Sequence, residues 1–367
     1  MMLKIKIGEV CDVYDGPHAT PKKIDKGPVY LGIDAITDNG KLNPSGYNYL
    51  SEEDYKIWTK RVTPQYGDLV FSYEATLGRY ALIPKDFYGC LGRRLAVVRP
   101  KDERINIKWL YYYFLSPEWS VYIANNTVKG STVNRISIED FPNFYIPLLE
   151  RTEQDKIVKV LSAIDEKIDN NVNINDNLQS QLRLIYENMI AKANSNQIKG
   201  NFVTVKEMAD ITTGKEDANF STVNGKYKFF TCSNVPLQCD EYAFESSSIL
   251  IAGNGDFNVK YYSGKFNAYQ RTYVLTASSE YYAILYLACL YQVNLFKSNS
   301  SGSIVKFITK SDVENIPLFI PDDISLLQKL NNLLHFQEQT ILENDKLIQL
   351  RDFLLPMLMN GQATIDN

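Results

Sequence analysis

The chain has 367 residues, enough for two domains with cores of their own at roughly 100 to 200 residues each. Its composition, 45% hydrophobic, 22% charged and 12% aromatic with 25 tyrosines, is that of a globular protein and excludes a disordered one. A net charge of −4 excludes a chain that coats nucleic acid by bulk positive charge. No apolar run reaches the roughly 18 residues of a membrane span and MMLKIKIGEV lacks a signal peptide's apolar stretch, so a cytoplasmic location is expected.

Charge is uneven along the chain: residues 1–145 sum to +2, 146–196 to −2, 197–319 to 0 and 320–367 to −4. The acid gathers in two segments that read as helices, which leaves the other two free to present local basic faces. Cys11, Cys90, Cys232, Cys239 and Cys289 are scattered and form no C-x-x-C pair, as buried small side chains would be rather than disulfides or metal ligands.

In chain order, the first element returns later. IKIGEVCDVYDG (5–16) aligns without a gap with VTVKEMADITTG (203–214), keeping Glu9/Glu207, Asp12/Asp210 and Gly16/Gly214. GDLVFSY (67–73) then parallels SSILIAG (247–253), and GRRLAVV (92–98) parallels QRTYVLT (270–276), which sets Arg93 against Arg271. GSTVNRISIED (130–140) parallels GSIVKFITKSD (302–312), and each is followed by Ile-Pro, at Ile146-Pro147 and Ile320-Pro321. The second copy is shorter, with deletions expected at loops.

Each copy opens with short strand-like runs punctuated by Gly, Pro, Asn and Asp, and holds one aromatic-rich helix, WLYYYFL (109–115) or YYAILYLACLY (281–291). Adjacent aromatics on one helix point in several directions, so packing accounts for WLYYYFL better than base stacking does. Each copy ends in a long helix. Ile157, Leu161, Ile164, Ile168, Asn171, Asn175, Leu178, Leu182, Ile185 and Met189 step by four and three over about 50 Å. Leu327, Leu330, Leu334, Gln337, Ile341, Asn344 and Ile348 form a similar seam, again polar in the middle. Buried amides cost stability but fix register and partner, so the two helices are expected to pair as an antiparallel coiled coil with amides facing each other.

The expected fold is therefore α+β: two similar strand-rich globules with mixed α/β content, separated by two long helices. The divisions are residues 1–149, a first globule; 150–196, the first helix; 197–321, a second globule; and 322–367, the second helix and tail.

This order, with IPLLERTEQDKIVKVLSAIDEKI (146–168), NGKYKFFTCS (224–233), ILIAGNG (249–255), GKFNAYQRTYVL (264–275) and RDFLLPMLMNGQATI (351–365), resembles the specificity subunits of Type I restriction-modification systems over essentially the whole chain. One departure is that the second helix begins IPDDISLLQKL in place of a Glu153-Gln154 pair, so its first turn should pack differently. The resemblance implies two target-recognition domains that read the halves of a split, asymmetric sequence in double-stranded DNA. It implies helices that act as a spacer and dock two methyltransferase subunits, with restriction subunits joining that core. S-adenosylmethionine, ATP and magnesium would belong to those partners, with none in this chain. The chain accordingly has no Asn-Pro-Pro-aromatic motif, no phosphate loop and no G-x-G-x-x-G, and its two histidines, His18 and His335, leave few candidates for a general base.

Base edges are read by Arg, Lys, Asn or Gln, and phosphates also accept from Ser, Thr and Tyr. On that chemistry the first-globule candidates are Lys22, Lys23, Tyr73, Arg79, Arg93, Arg94, Lys129, Ser131, Thr132, Asn134 and Arg135. The second-globule candidates are Lys215, Lys226, Asn254, Asn258, Lys260, Arg271, Ser301, Ser303 and Lys306. The competing reading for single lysines is a solvated surface, and for the recurrent Gly-Ser segments a turn before the final strand. The competing function is a two-domain coiled-coil adaptor that binds protein partners without reading DNA.

Overall fold

A computed structural model describes residues 3–129, 133–255, 257–299 and 307–365. Contacts divide the chain into two units, Met1–Ile168 with Lys346–Asn367, and Asp169–Asp345. The division falls inside both long helices instead of at their junctions with the globules. The reason is packing: Ile157 and Leu161 share a core with Leu355 and Leu358, while Leu182 and Met189 share another with Leu330 and Leu334.

In the first unit the strands are β1 (Lys4–Lys6), β2 (Cys11–Asp15), β3 (Ile24–Leu31), β4 (Asn48–Tyr49), β5 (Leu69–Ser72), β6 (Tyr80–Leu82), β7 (Gly89–Leu91), β8 (Leu95–Pro100) and β9 (Tyr145–Pro147). They form a β1-β9 pair, a four-stranded sheet β2-β8-β5-β6 and a three-stranded sheet β4-β3-β7. The helices are α1 (Ile7–Val10), α2 (Glu52–Trp58), α3 (Ile107–Phe114) and α4 (Pro117–Asn126), then α5 (Arg151–Asn194). Side chains alternate across a strand, and β5 is buried on both faces: Leu69 and Phe71 join Trp109, Phe114 and Trp119, while Val70 joins Ala81 and Val97. The aromatic helix α3 is core throughout, with all of Trp109–Phe114 buried; the Tyr111 hydroxyl donates to the Gly40 carbonyl at 3.0 Å and that of Tyr112 to Asp165 Oδ2 at 2.7 Å.

The second unit repeats this plan with β10 (Gly200–Thr204), α6 (Val205–Met208), β11 (Asp210–Thr213), β12 (Tyr227–Phe230), β13 (Leu237–Cys239), β14 (Phe244–Ala252), β15 (Val259–Ala268), β16 (Thr272–Thr276), α7 (Tyr282–Asn299), α8 (Lys310–Glu314), β17 (Pro317–Pro321) and α9 (Ile324–Met359). Here one six-stranded sheet, β11-β16-β14-β15-β12-β13, takes the place of two, because β15 pairs with β14 at one end and with β12 at the other. It does alone what β6 and β7 do separately in the first unit.

Hydrogen bonds fix the correspondence between copies. Gly16 N–H donates to the Leu95 carbonyl at 2.8 Å, and Gly214 N–H to that of Thr272 at 3.1 Å. Tyr73 N–H donates to the Arg94 carbonyl at 3.1 Å, and Gly253 N–H to that of Arg271 at 2.9 Å. Arg271 therefore corresponds to Arg94, one residue along from the Arg93 that the sequence suggests. A shared arginine draws the ungapped alignment, but the ladder partners set the register. The Ile-Pro pairs also slip. Ile5 faces Ile146 while Val203 faces Leu318, so Leu318 is the counterpart of Ile146, and Ile320-Pro321 lies two residues beyond.

The identities the repeat keeps have local causes. Glu9 accepts from Lys6 N–H at 3.0 Å and Glu207 from Thr204 N–H at 2.7 Å, each capping a one-turn helix. A Cβ on Gly16 would meet the Gly92 carbonyl oxygen at 2.4 Å, and one on Gly214 that of Ala268 at 2.0 Å, so both positions need glycine for a close backbone approach.

The long helices pair antiparallel, α5 having 44 residues and α9 having 36. In the second unit Asn171 Nδ2 donates to Asn344 Oδ1 at 2.8 Å, Thr340 Oγ1 to Asn175 Oδ1 at 2.8 Å, and Gln337 Nε2 to Gln179 Oε1 at 3.3 Å. In the first unit Arg351 Nη1 meets Asp165 Oδ1 at 3.2 Å. Ile157, Leu161, Ile164, Ile168, Asn171, Leu178, Leu182, Leu330, Leu334 and Asn344 are buried and Asn175 is partly so. Ile341 is 39% exposed and Ile348 37%, which removes both from the seam. Thr340 takes the inner place because its hydroxyl has a partner in Asn175, and because a helix of 3.6 residues per turn drifts off a strict heptad.

At the start of α5, Gln154 is fully buried; its amide donates to the Arg104 and Leu149 carbonyls at 2.7 and 2.9 Å and accepts from Asn106 N–H at 2.8 Å. In α9 the equivalent brace falls on Asn331, which accepts from Ala283 N–H at 2.9 Å and donates to the Glu280 carbonyl at 2.6 Å. Among the described residues no helix is long and apolar enough to cross a membrane, and no group of three His, Cys, Asp or Glu side chains is placed to hold a metal ion.

Candidate nucleic-acid interface

In the first globule the surface is built on the loop from β5 to β6 and the turn before β8. Ser72 is fully buried, and its hydroxyl ties the loop down by donating to the Thr76 carbonyl at 2.5 Å and accepting from Arg79 N–H at 3.2 Å. Ala75, at φ 67°, and Gly78, at φ 84°, make the turn. Arg93 and Arg94 line a cleft of about 370 Å³ with Thr20, Gly32, Asp34 and Thr76. Arg94 Nε lies 3.6 Å from Glu74 Oε1. Lys129 and Asn134 are exposed on a second cleft, beside Gly78 and Thr127. Arg135 forms a bridge with Glu74, its side chain exposed. Lys22 and Lys23 are exposed two and three residues after Thr20.

Two candidates of this globule are spent on the fold. Tyr73 is 5% exposed; its hydroxyl donates to the Arg93 carbonyl at 2.8 Å, and burial, helped by Asp15 and Glu74, pushes its pKa up to about 12. Tyr73 is a buried brace whose hydroxyl is engaged by the backbone of Arg93. Arg79 is held by Asp38 Oδ1 at 2.9 Å and the Ile33 carbonyl at 3.2 Å, so its guanidinium secures a loop.

In the second globule the same frame carries other side chains. Asn254 bridges Phe307, and Ile308 N–H donates to the Gly253 carbonyl at 2.8 Å, as Ile136 N–H does to that of Tyr73. Arg271, Lys215 and Lys226 are exposed, with Lys226 Nζ 5.4 Å from the Tyr227 ring centroid. Asn258 Nδ2 donates to the Cys232 carbonyl at 2.8 Å, and Lys260 Nζ donates to the Thr231 carbonyl at 3.3 Å and to Asn258 Oδ1. These two residues brace the loop instead of projecting from it, and burial lowers the Lys260 pKa to about 8. Ser131, Thr132, Ser301, Ser303 and Lys306 lie outside the described residues. The sequence reading misses Glu74 and Phe307; the signal was their place beside Tyr73 and Ile308, inside the blocks that repeat.

Two α+β globules of one plan, each framing an exposed polar surface and joined to a pair of antiparallel helices, define a duplicated recognition protein. A family model described as the Type I restriction modification DNA specificity domain matches residues 2–180 and 197–350, and the chain belongs to that family. The chain is 36% identical over 169 residues to the Type I restriction enzyme EcoDI specificity subunit of Escherichia coli, a match covering 44% of this chain and 38% of that protein. It is 22% identical over 364 residues to the MjaIX specificity subunit of Methanocaldococcus jannaschii, covering 88% and 83% of the two chains. The fold matches the crystal structure of the Type I restriction-modification S subunit from M. genitalium with a TM-score of 0.63 at 19% identity, over 98% and 96% of the two chains.

Proposed function

We propose that this chain is the target-reading subunit of a Type I restriction-modification complex. Each globule reads one half of a split, asymmetric sequence in double-stranded DNA. The paired helices dock two methyltransferase subunits, and restriction subunits join that core in the cytoplasm. S-adenosylmethionine, ATP and magnesium are used by those partners, and this chain contributes recognition without catalysis. The observation that carries the reading is the recurrence of one frame, Tyr73–Arg94–Ile136 and Gly253–Arg271–Ile308, under different side chains. One backbone decorated in two ways suits the reading of two different half-sites.

The test is a domain exchange. Replacing residues 1–149 with the corresponding domain of a relative, in a complex with its methyltransferase, is expected to change one half of the methylated motif and leave the other intact. A change in both halves, or saturable binding of S-adenosylmethionine by the purified chain, counts against the reading.

A further inference from the structure

The shared frame carries three positions in each globule, of which Arg135, Arg271 and Phe307 are exposed and Glu74, Arg94 and Asn254 half-buried. The residue after Tyr73 is Glu74, and the residue after Gly253 is Asn254. Across an isolated antiparallel bridge from these stand Arg135 and Phe307. The third position is the arginine whose carbonyl ties down the frame, Arg94 or Arg271. Only this third residue type is common to both.

Phe307 is 58% exposed, an unfavourable place for a phenylalanine in water. Among the described residues no hydrogen bond or ion pair engages the guanidinium groups of Arg135 and Arg271 or the Asn254 amide. Directly opposite residues in an antiparallel pair have Cβ atoms about 4.5 to 5.5 Å apart, so the two side chains of each pair share one face; in the first globule Glu74 Oε1 also lies 3.6 Å from Arg94 Nε, an ion pair that DNA binding would exchange for base and phosphate contacts.

Major-groove chemistry distinguishes the two pairs. Arginine bonds in bidentate fashion to guanine O6 and N7, and glutamate accepts from cytosine N4. Asparagine bonds in bidentate fashion to adenine N6 and N7, and phenylalanine makes apolar contact with the thymine methyl. The first pair, Arg135 and Glu74, thus complements the two edges of a G·C pair. The second, Asn254 and Phe307, complements those of an A·T pair. A residue identical in both globules cannot distinguish their targets, which suits Arg94 and Arg271 to phosphate, a contact that positions without specifying.

We infer that Glu74 and Arg135 read a G·C base pair in the first globule's half-site, and Asn254 and Phe307 an A·T base pair in the second's, with Arg94 and Arg271 as the common phosphate anchors. This rests on the proposed function and names the residues that carry it out.

The test selects bound sequences from a randomised duplex DNA library, using the full chain in complex with its methyltransferase subunit. Asn254→Ala is expected to relax preference at one A·T position of a single half-site about tenfold, leaving the other half-site unchanged. Asn254→Glu with Phe307→Arg is expected to convert that position to G·C. If the double variant fails to fold, Asn254→Ala and Arg135→Ala decide alone, since the altered side chains support no described hydrogen bond. Variants that enrich the wild-type sequence with wild-type preference overturn this inference and leave the proposed function standing. A wild-type complex that enriches no sequence overturns both.

Discussion

Asn171 and Asn344 face each other in the interior of the helix pair, with 2.8 Å between the donating amide nitrogen and the accepting oxygen and both residues buried. Asn171 Oδ1 and, near it along the seam, Gln337 Oε1 are buried without a partner, so the layer is retained at a cost. Asn171→Leu should lower stability by about 1–3 kcal/mol by removing the hydrogen bonds that its amide gives to Asn344 Oδ1 and Glu343 Oε2, both at 2.8 Å. Asn171→Leu with Asn344→Leu should regain most of that loss and form additional association states, because an apolar seam no longer specifies one register. Urea unfolding and size-exclusion chromatography with light scattering check both halves. A double variant that stays as unstable as the single, or stays in one state, removes the register role.

The two repeat glycines predict a matched pair of effects. Gly16→Ala and Gly214→Ala each drive a methyl into a backbone oxygen, which cannot move aside as a flexible side chain would. Each should cost about 1–3 kcal/mol. Calorimetric scans of the two variants should show comparable losses; an unchanged melting profile for either would mean the strands separate freely there.

Lys260 gives a pH dependence with a definite sign. Burial holds its folded pKa near 8 against the ordinary lysine value of 10.5, so between these values the unfolded chain binds more protons than the folded one. The penalty is complete below about pH 8 and is relieved as pH rises toward about 10.5. Lys260→Met removes the charge and keeps most of the stem. Its melting temperature relative to wild type should be highest below pH 8 and fall steadily across that window. A pH-independent difference would show that Lys260 titrates normally.

Salt dependence separates exposed lysines from an engaged arginine. Lys22 and Lys23 are solvent-facing, so on the phosphate reading Lys22→Ala with Lys23→Ala should reduce the slope of log affinity against log salt by up to about two. Arg79→Ala should leave the slope unchanged and lower thermal stability, since its guanidinium already holds Asp38 and the Ile33 carbonyl. Binding titrations at several salt concentrations distinguish them, and a slope that follows Arg79 instead would reverse the assignment.

Features that depend on short-range pattern are legible along the chain. Helix and strand periods, the block that carries Glu9 and Gly16 and returns with Glu207 and Gly214, and the polar residues midway along two long seams are each legible within a short stretch of chain, and they were enough to find two copies, an α+β plan and facing amides. What depends on partners far along the chain was decided by the tertiary structure. Arg271 answers to Arg94 because strands β14 and β16 pair in the same register as β5 and β8, which no ungapped alignment of a seven-residue block can weigh. Tyr73 is a brace because the Arg93 carbonyl, 20 residues away, waits for its hydroxyl. Thr340 displaces Ile341 from the seam because Asn175, 165 residues earlier, offers an acceptor that an isoleucine cannot use. A side chain's type is written in the sequence, but whether it is spent on the fold or left for a ligand is settled by which neighbour reaches it first.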